Sequence, residues 1–338
     1  MHLSDLTKLN GVSGNENAVR EYIYKRIKTK CDDIKIDSMG NMVAYKKGTS
    51  KNAKKMMLAA HMDEVGFIVS KITDDGFLKF KTVGGIDSRV LPSKYVTVGD
   101  KKQIGLIGSK AIHLMTKAER TNMTKTKDLY IDIGAKDKKD AEKKVAIGDY
   151  IAFESDYVEF GDNMIKAKAL DDRAGCSILM KMLDERYDFD LYVAFTVQEE
   201  VGLRGARVCA YSVKPDIAIV IETTSCSDTP GVPGYYHTTV SGDGPAVSLI
   251  DRRTYYNKDF ADFIYNLAKS NNIPVQYKRG SFGGNDAGEI HISNEGVKTA
   301  AISIPVRYIH TPSCVISKND YENTARLLKL VLKEIKLW

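Results

Sequence analysis

Two glutamates in succession, Glu199 and Glu200 in "TVQEEVGLRGA", follow the apolar run "LYVAF". Carboxylates at the mouth of a buried strand raise the question of what they face. An acidic pair on a solvated loop is the ordinary arrangement. Other residues of metal-binding type, however, stand at equivalent places in the chain. His61 and Asp63 follow "MMLAA", Glu222 ends "IAIVIE", and His310 lies just beyond "AAISIPVRY". Asp171 and Asp172, in "KALDDRAG", directly precede a predicted helix. Singly, each has a structural reading: Asp172 as a helix cap, His61 as a hydrogen-bonded core histidine, Asp63 or Glu222 as a loop carboxylate. Together they read differently, because so many carboxylates at one rim repel unless a cation lies among them. Imidazole and carboxylate without thiolate suit zinc, cobalt or manganese. The carboxylates outnumber the ligands one ion needs, which points to two ions about 3.5–4 Å apart. One glutamate of the pair can then bind metal while its neighbour, aimed differently, stays free as a general base. Water acidified by a metal needs such a neighbour.

That convergence requires a scaffold that brings strand ends together. "NENAVREYIYKRIKTKC" has helical spacing through Val19, Tyr22, Ile23 and Ile27. "DIKIDSMGNMVAYKKG" reads as two strands about a Ser-Met-Gly-Asn turn, and "KKMMLAAHMDE" as a short apolar strand ending on His61. From about Gly66 the texture becomes short alternating strands separated by Gly and Asp turns, persisting to about Phe160. Beyond it helix and strand alternate again: "RAGCSILMKMLDERYD" and "NKDFADFIYNLAKSNN" are helical, while "LYVAFTV", "PDIAIVIE" and "VKTAAISIP" are strands. A closing amphipathic helix, "YENTARLLKLVLKEIKLW", starts from a capping pattern at Ser317 and Asp320. Near-continuous apolar strands between helices predict an α/β fold with a mostly parallel, mixed sheet covered by helices on both faces. The β-rich middle reads as an insertion. The expected domains are therefore a discontinuous one, 1–65 with 160–338, and an inserted one, 66–159. In such a sheet ligands bind outside the carboxyl ends of the strands, where the residues above fall. The polar segment Thr116 to Asp128, "TKAERTNMTKTKD", lacks apolar periodicity and is expected to be mobile in an isolated subunit.

Composition removes other classes. The chain has 338 residues, 43% hydrophobic and 28% charged, as ordinary globular proteins do. Fifty Lys and Arg against 44 Asp and Glu leave a small, dispersed surplus that does not indicate nucleic acid. Five scattered cysteines without C-x-x-C spacing argue against a disulfide framework and for a reducing compartment. The start lacks a signal-peptide pattern, and no apolar run approaches the roughly 20 residues a membrane span needs. A cytoplasmic protein without membrane contact is expected.

Five stretches, "AAHMDEVGFIV", "KALDDRAGC", "TVQEEVGLRGA", "GGNDAGEIH" and "RYIHTP", occur in the order found in the tetrahedral aminopeptidases, the glutamyl and deblocking enzymes of the dinuclear metallopeptidase clan. The resemblance extends to "GGIDSRVLP" and "GLIGSKAIHL" in the insertion. It implies a PDZ-like β domain inserted into an α/β peptidase domain. It also implies two divalent ions, zinc or cobalt, with Asp171 as the bridge, His61 and Glu222 completing one site, and Glu200 and His310 the other. By the same resemblance Glu199 is the general base, Asp63 orients His61, and a cis peptide joins Asp171 to Asp172. The implied activity is removal of N-terminal residues from short peptides by metal-activated water. The implied assembly is a homo-oligomer, a hollow dodecamer built from dimers. Many aminopeptidases of the clan have Asp where this chain has Glu222. His291 is expected to line the substrate cleft, His113 to be packed or hydrogen-bonded, and Cys176 to lie in the core.

Two rivals differ in class. A glycoside hydrolase (endoglucanase) would use a carboxylate pair, yet it gives His61 and His310 no role, and the single tryptophan, Trp338, stands at the far end. A non-catalytic peptide-binding particle would use the insertion, but it leaves an intact ligand and base set without purpose.

Overall fold

The computed structural model describes residues 2–335; Trp338 and the last residues of the predicted closing helix lie outside them. Eleven strands form one mixed sheet. In chain order they are β1 (Asp33–Ile36), β2 (Met42–Lys46) and β3 (Lys55–His61), then, after the six strands of the insertion, β10 (Val158–Phe160), β11 (Met164–Ala167), β12 (Asp190–Thr196), β13 (Ile217–Ser225), β14 (Ala246–Val247), β15 (Gln276–Tyr277), β16 (Lys298–Arg307) and β17 (Cys314–Ser317). The main path runs β1-β2-β12-β3-β13-β16-β17-β11-β10. Its four central strands, β12, β3, β13 and β16, are parallel, and the flanking pairs are antiparallel.

The central strands are apolar on both faces, as parallel strands under helices must be. Met56, Leu58 and Ala60 of β3 enter one core, and Met57 and Ala59 enter the other. The first core is closed by helices including Asn17–Ile27, Leu170–Met182, Lys258–Ser270 and Lys318–Glu334; the second is closed by Arg204–Val213 and Ala287–Ile290. The capping signal at the last helix is real: Ser317 accepts the backbone N–H of Asp320.

The insertion comprises β4 (Gly66–Ile72), β5 (Leu78–Val83), β6 (Tyr95–Val98), β7 (Gln103–Gly108), β8 (Tyr130–Asp132) and β9 (Tyr150–Phe153). These close into an antiparallel barrel, β4-β5-β8-β7-β6-β9, around its own apolar core of Phe67, Phe80, Ile131 and Phe153 among others. Between β7 and β8 the polar segment is organised: Thr116 and Glu119 form a reciprocal capping box on a short helix, Lys117–Thr121. The absence of apolar periodicity hid this helix, which is held by its cap and not by burial.

No described helix is long and apolar enough to cross a membrane.

Candidate functional site

The carboxyl ends of the four parallel strands meet at one rim. β3 ends on His61, β12 leads into the loop bearing Glu199 and Glu200, β13 carries Glu222, and β16 leads to His310. Asp171 comes from the start of the helix Leu170–Met182, where its backbone and that of Asp172 depart from helical geometry. The Asp171–Asp172 peptide is cis, as expected.

Asp171 presents one oxygen to each histidine. Its Oδ1 is 3.2 Å from His61 Nε2, and its Oδ2 is 3.3 Å from His310 Nε2. Glu222 Oε1 lies 3.4 Å from His61 Nε2, while Glu200 Oε2 lies 3.2 Å from His310 Nε2. Two groups of side chains thus meet at one carboxylate. Glu199 stands apart, its Oε2 3.9 Å from His61 Nε2.

The far sides of both rings are fixed by backbone. His61 Nδ1 is 3.1 Å from the Asp63 carbonyl, and His310 Nδ1 is 2.7 Å from the Gly85 carbonyl. A carbonyl only accepts, so each Nδ1 carries a proton and donates it. The neutral ring then aims its Nε2 lone pair at carboxylate oxygens, and that arrangement is repulsive without a proton or a cation between them. Burial pushes Glu200 and Glu222 each up to about 8. Burial alone would lower the two histidines, but the carboxylates outweigh it, holding His310 at about 9 and His61 well above its ordinary value. Protons shared among these groups are what a divalent cation would displace on binding. The donor set fits two such ions: imidazole nitrogens, carboxylate oxygens and a shared carboxylate. Ligand atoms of His61, Asp171 and Glu200 also lie within 4.8 Å of one another, as do those of His61, Asp172 and Glu222. Asp172 has a structural duty too, since its Oδ1 accepts the Gly175 N–H at 2.9 Å, as its capping reading foresaw.

Asp63 meets His61 through its backbone carbonyl, and its carboxylate holds the neighbouring loop. Its Oδ1 accepts the Glu199 N–H at 3.0 Å, and its Oδ2 accepts the Glu200 N–H at 3.2 Å and the Ser13 hydroxyl at 2.6 Å. The cluster opens into a cleft of about 970 Å³ lined by Asp171, Glu199, Glu200, Glu222 and His310, with Arg252, Arg253, Lys278 and Phe282 on its walls.

Two sequence expectations change. His291 is not among the residues lining this cleft; it follows the short helix Ala287–Ile290, and its Nδ1 meets the Ala287 carbonyl at 2.8 Å. His113 is exposed on a short 3-10 turn of the insertion and is not packed. Cys176 is buried, with its thiol donating to the His61 carbonyl.

Sequence reasoning missed two groups. Asp286, within the quoted "GGNDAGEIH", is 1% exposed and accepts the Thr196 hydroxyl at 2.5 Å. Beneath the site, Lys168 and Arg173 both reach the buried Glu64, at 2.7 and 3.4 Å. The signal for both was charge inside motifs already noticed for other residues.

Parallel strands delivering two histidines and a shared carboxylate to one cleft define a metal-dependent hydrolase. The chain belongs to the M42 glutamyl aminopeptidase family, whose pattern it matches over residues 40–327, and it is a metallo-aminopeptidase. Among solved structures it resembles an aminopeptidase from the archaeon Desulfurococcus kamchatkensis, at 38% identity and TM-score 0.94, covering 99% of this chain and 94% of that one. A Thermotoga maritima protein titled an endoglucanase is 39% identical with TM-score 0.82, covering 99% and 97%. A Pyrococcus horikoshii TET1 peptidase, titled as assembling into a tetrahedron or a large octahedral shell, is 32% identical with TM-score 0.87, covering 99% of each chain.

Proposed function

We propose that this enzyme removes N-terminal residues from short peptides at a dinuclear centre, with Glu199 as general base. The supporting observation is the sharing of Asp171 between His61 and His310, one oxygen to each. His61, Glu222 and Asp171 would hold one divalent ion, and Glu200, His310 and Asp171 the other. When bound, such ions, zinc or cobalt, supply Lewis acidity toward a peptide carbonyl and ease the ionisation of water.

The protein's own residues divide the remaining work. Glu199, near the ligands but outside both clusters, accepts a proton from the attacking water at its carboxylate. It returns that proton to the departing amine, so one water is consumed and one peptide bond is broken. Asp63 holds the backbone of both glutamates and the side of His61 away from the cleft. Gly85, from the barrel side, fixes His310, so the insertion takes part in building the site. Arg252, Arg253 and Lys278 on the cleft walls would favour peptides with an acidic first residue.

Residues 1–65 with 160–338 form the catalytic domain in this scheme, and 66–159 the PDZ-like insert, except that β10, from Val158, already belongs to the catalytic sheet. The assembly is a homo-oligomer, a dodecamer built from dimers; the relative that forms a tetrahedron or a large octahedral shell supports a closed assembly of many copies. Five free cysteines accord with the reducing cytoplasm. A carboxylate-only glycosidase leaves the paired histidine geometry unused, despite the endoglucanase title of one neighbour.

Glu199→Gln tests the assignment. Peptide turnover should fall about 10²–10⁴-fold while metal content stays that of the parent. Parent-like turnover would remove Glu199 from the role, and hydrolysis of β-glucan without peptide turnover would favour the rival.

A further inference from the structure

The loop that carries the glutamate pair is held by its backbone. Four successive N–H groups each donate to a side chain from elsewhere in the chain. Val197 donates to Asn41 Oδ1 at 3.0 Å, Gln198 to Glu16 Oε1 at 3.2 Å, Glu199 to Asp63 Oδ1 at 3.0 Å, and Glu200 to Asp63 Oδ2 at 3.2 Å. Gln198 needs such support because its φ of 58° lies in the left-handed region, which a side chain disfavours.

Glu16 is the unexpected member. It stands directly before the helix Asn17–Ile27, where a polar residue ordinarily caps its own helix. Its side chain makes no capping bond there. It turns inward, is 3% exposed, and accepts the Gly14 N–H at 2.7 Å as well as that of Gln198. A buried carboxylate is costly to place, and this one is spent on a loop 182 residues away.

We infer that Glu16 is a positioning residue that fixes Gln198 and thereby the aim of Glu199. This rests on the reading of Glu199 as the base. Asp63 holds the loop from one side, and Glu16 holds the residue before it. Without the Glu16 acceptor the Gln198 N–H loses its partner, and the strained turn relaxes with Glu199 attached. A misplacement of about 1 Å in a reacting group costs on the order of 10²-fold, so Glu16→Ala should lower kcat about 10–100-fold.

The test compares Glu16→Ala, Glu16→Gln, Glu16→Asp and Glu199→Gln in the metal-loaded enzyme, with kcat, KM, metal content and melting temperature read for each. Glu16→Ala is expected to lose kcat with KM and metal content near those of the parent. Glu16→Gln keeps an acceptor at the same reach and should restore kcat to within about threefold. Glu16→Asp, one methylene short, should not. If Glu16→Ala does not fold, the contrast between the Gln and Asp variants carries the test. A loss that follows metal content or melting temperature, or equal activity of the Gln and Asp variants, would overturn the inference. Parent-like kcat in Glu16→Ala beside an inactive Glu199→Gln would overturn it while leaving the base assignment standing. An active Glu199→Gln would overturn the base assignment and this inference together.

Discussion

The tautomers of His61 and His310 are set by two backbone carbonyls, and the two Nε2 atoms then face a shared aspartate. On the proposal of two ions, Asp171→Ala should abolish binding of both, whereas His310→Ala should spare the cluster around His61; metal analysis after dialysis distinguishes them. Glu200 and Glu222 are both raised to about 8 by burial, above the ordinary carboxylate value. Below that pH they hold protons that an incoming cation must displace, so metal affinity should climb between pH 6 and 9, with proton release on binding. Calorimetry in buffers of different ionisation enthalpy reads both effects, and a pH-independent affinity would contradict the picture. His61, Glu200, Glu222 and His310 stood out in the sequence because each closes or follows an apolar run, and Asp171 because it directly precedes a helix. The placement of His291 was not, because a side chain at the end of a short helix is aimed by packing that no local pattern encodes. Asp286 escaped for the opposite reason: nothing in "GGNDAG" marks that the carboxylate folds back onto Thr196.

Among elements, the ends of β3, β12, β13 and β16 matter only if the segments after them hold still. Lys168, 2% exposed, meets both oxygens of Glu64, at 2.7 and 2.9 Å, and Arg173 joins from the same helical start that bears Asp171. Arg173 also donates to the Leu6 and Leu9 carbonyls, tying the N-terminal segment to the floor of the site. Breaking a buried pair by removing one partner costs about 3–5 kcal/mol. Lys168→Met should lower unfolding free energy by that order in denaturant titrations, and an unchanged midpoint would show the network to be dispensable. The central strands were legible because burial on both faces makes them continuously apolar. Barrel closure was not, since β4 pairing with β9 joins residues about 80 positions apart through no local signal. The helix at Lys117–Thr121 was missed because a capping box, not an apolar stripe, defines it.

For the whole molecule, the insertion is both a partner in the site and a surface. Gly85 reaches His310 from the barrel side, while Ile112, Leu114 and Met123 stand 62–70% exposed near the short helix between β7 and β8. Apolar side chains gathered on a surface mark contact sites, and closed homo-oligomers are the usual outcome for soluble chains. Light scattering on metal-loaded protein should give a mass many times that of one chain; a fully active monomer would sink the shell arrangement and leave the chemistry intact. The proposal that two ions share Asp171 is tested most directly by titrating chelated enzyme with zinc or cobalt while peptide turnover is followed. Activity should be absent at the start and level off at two equivalents per chain. Turnover in the fully chelated protein, or a plateau at one equivalent, would contradict it.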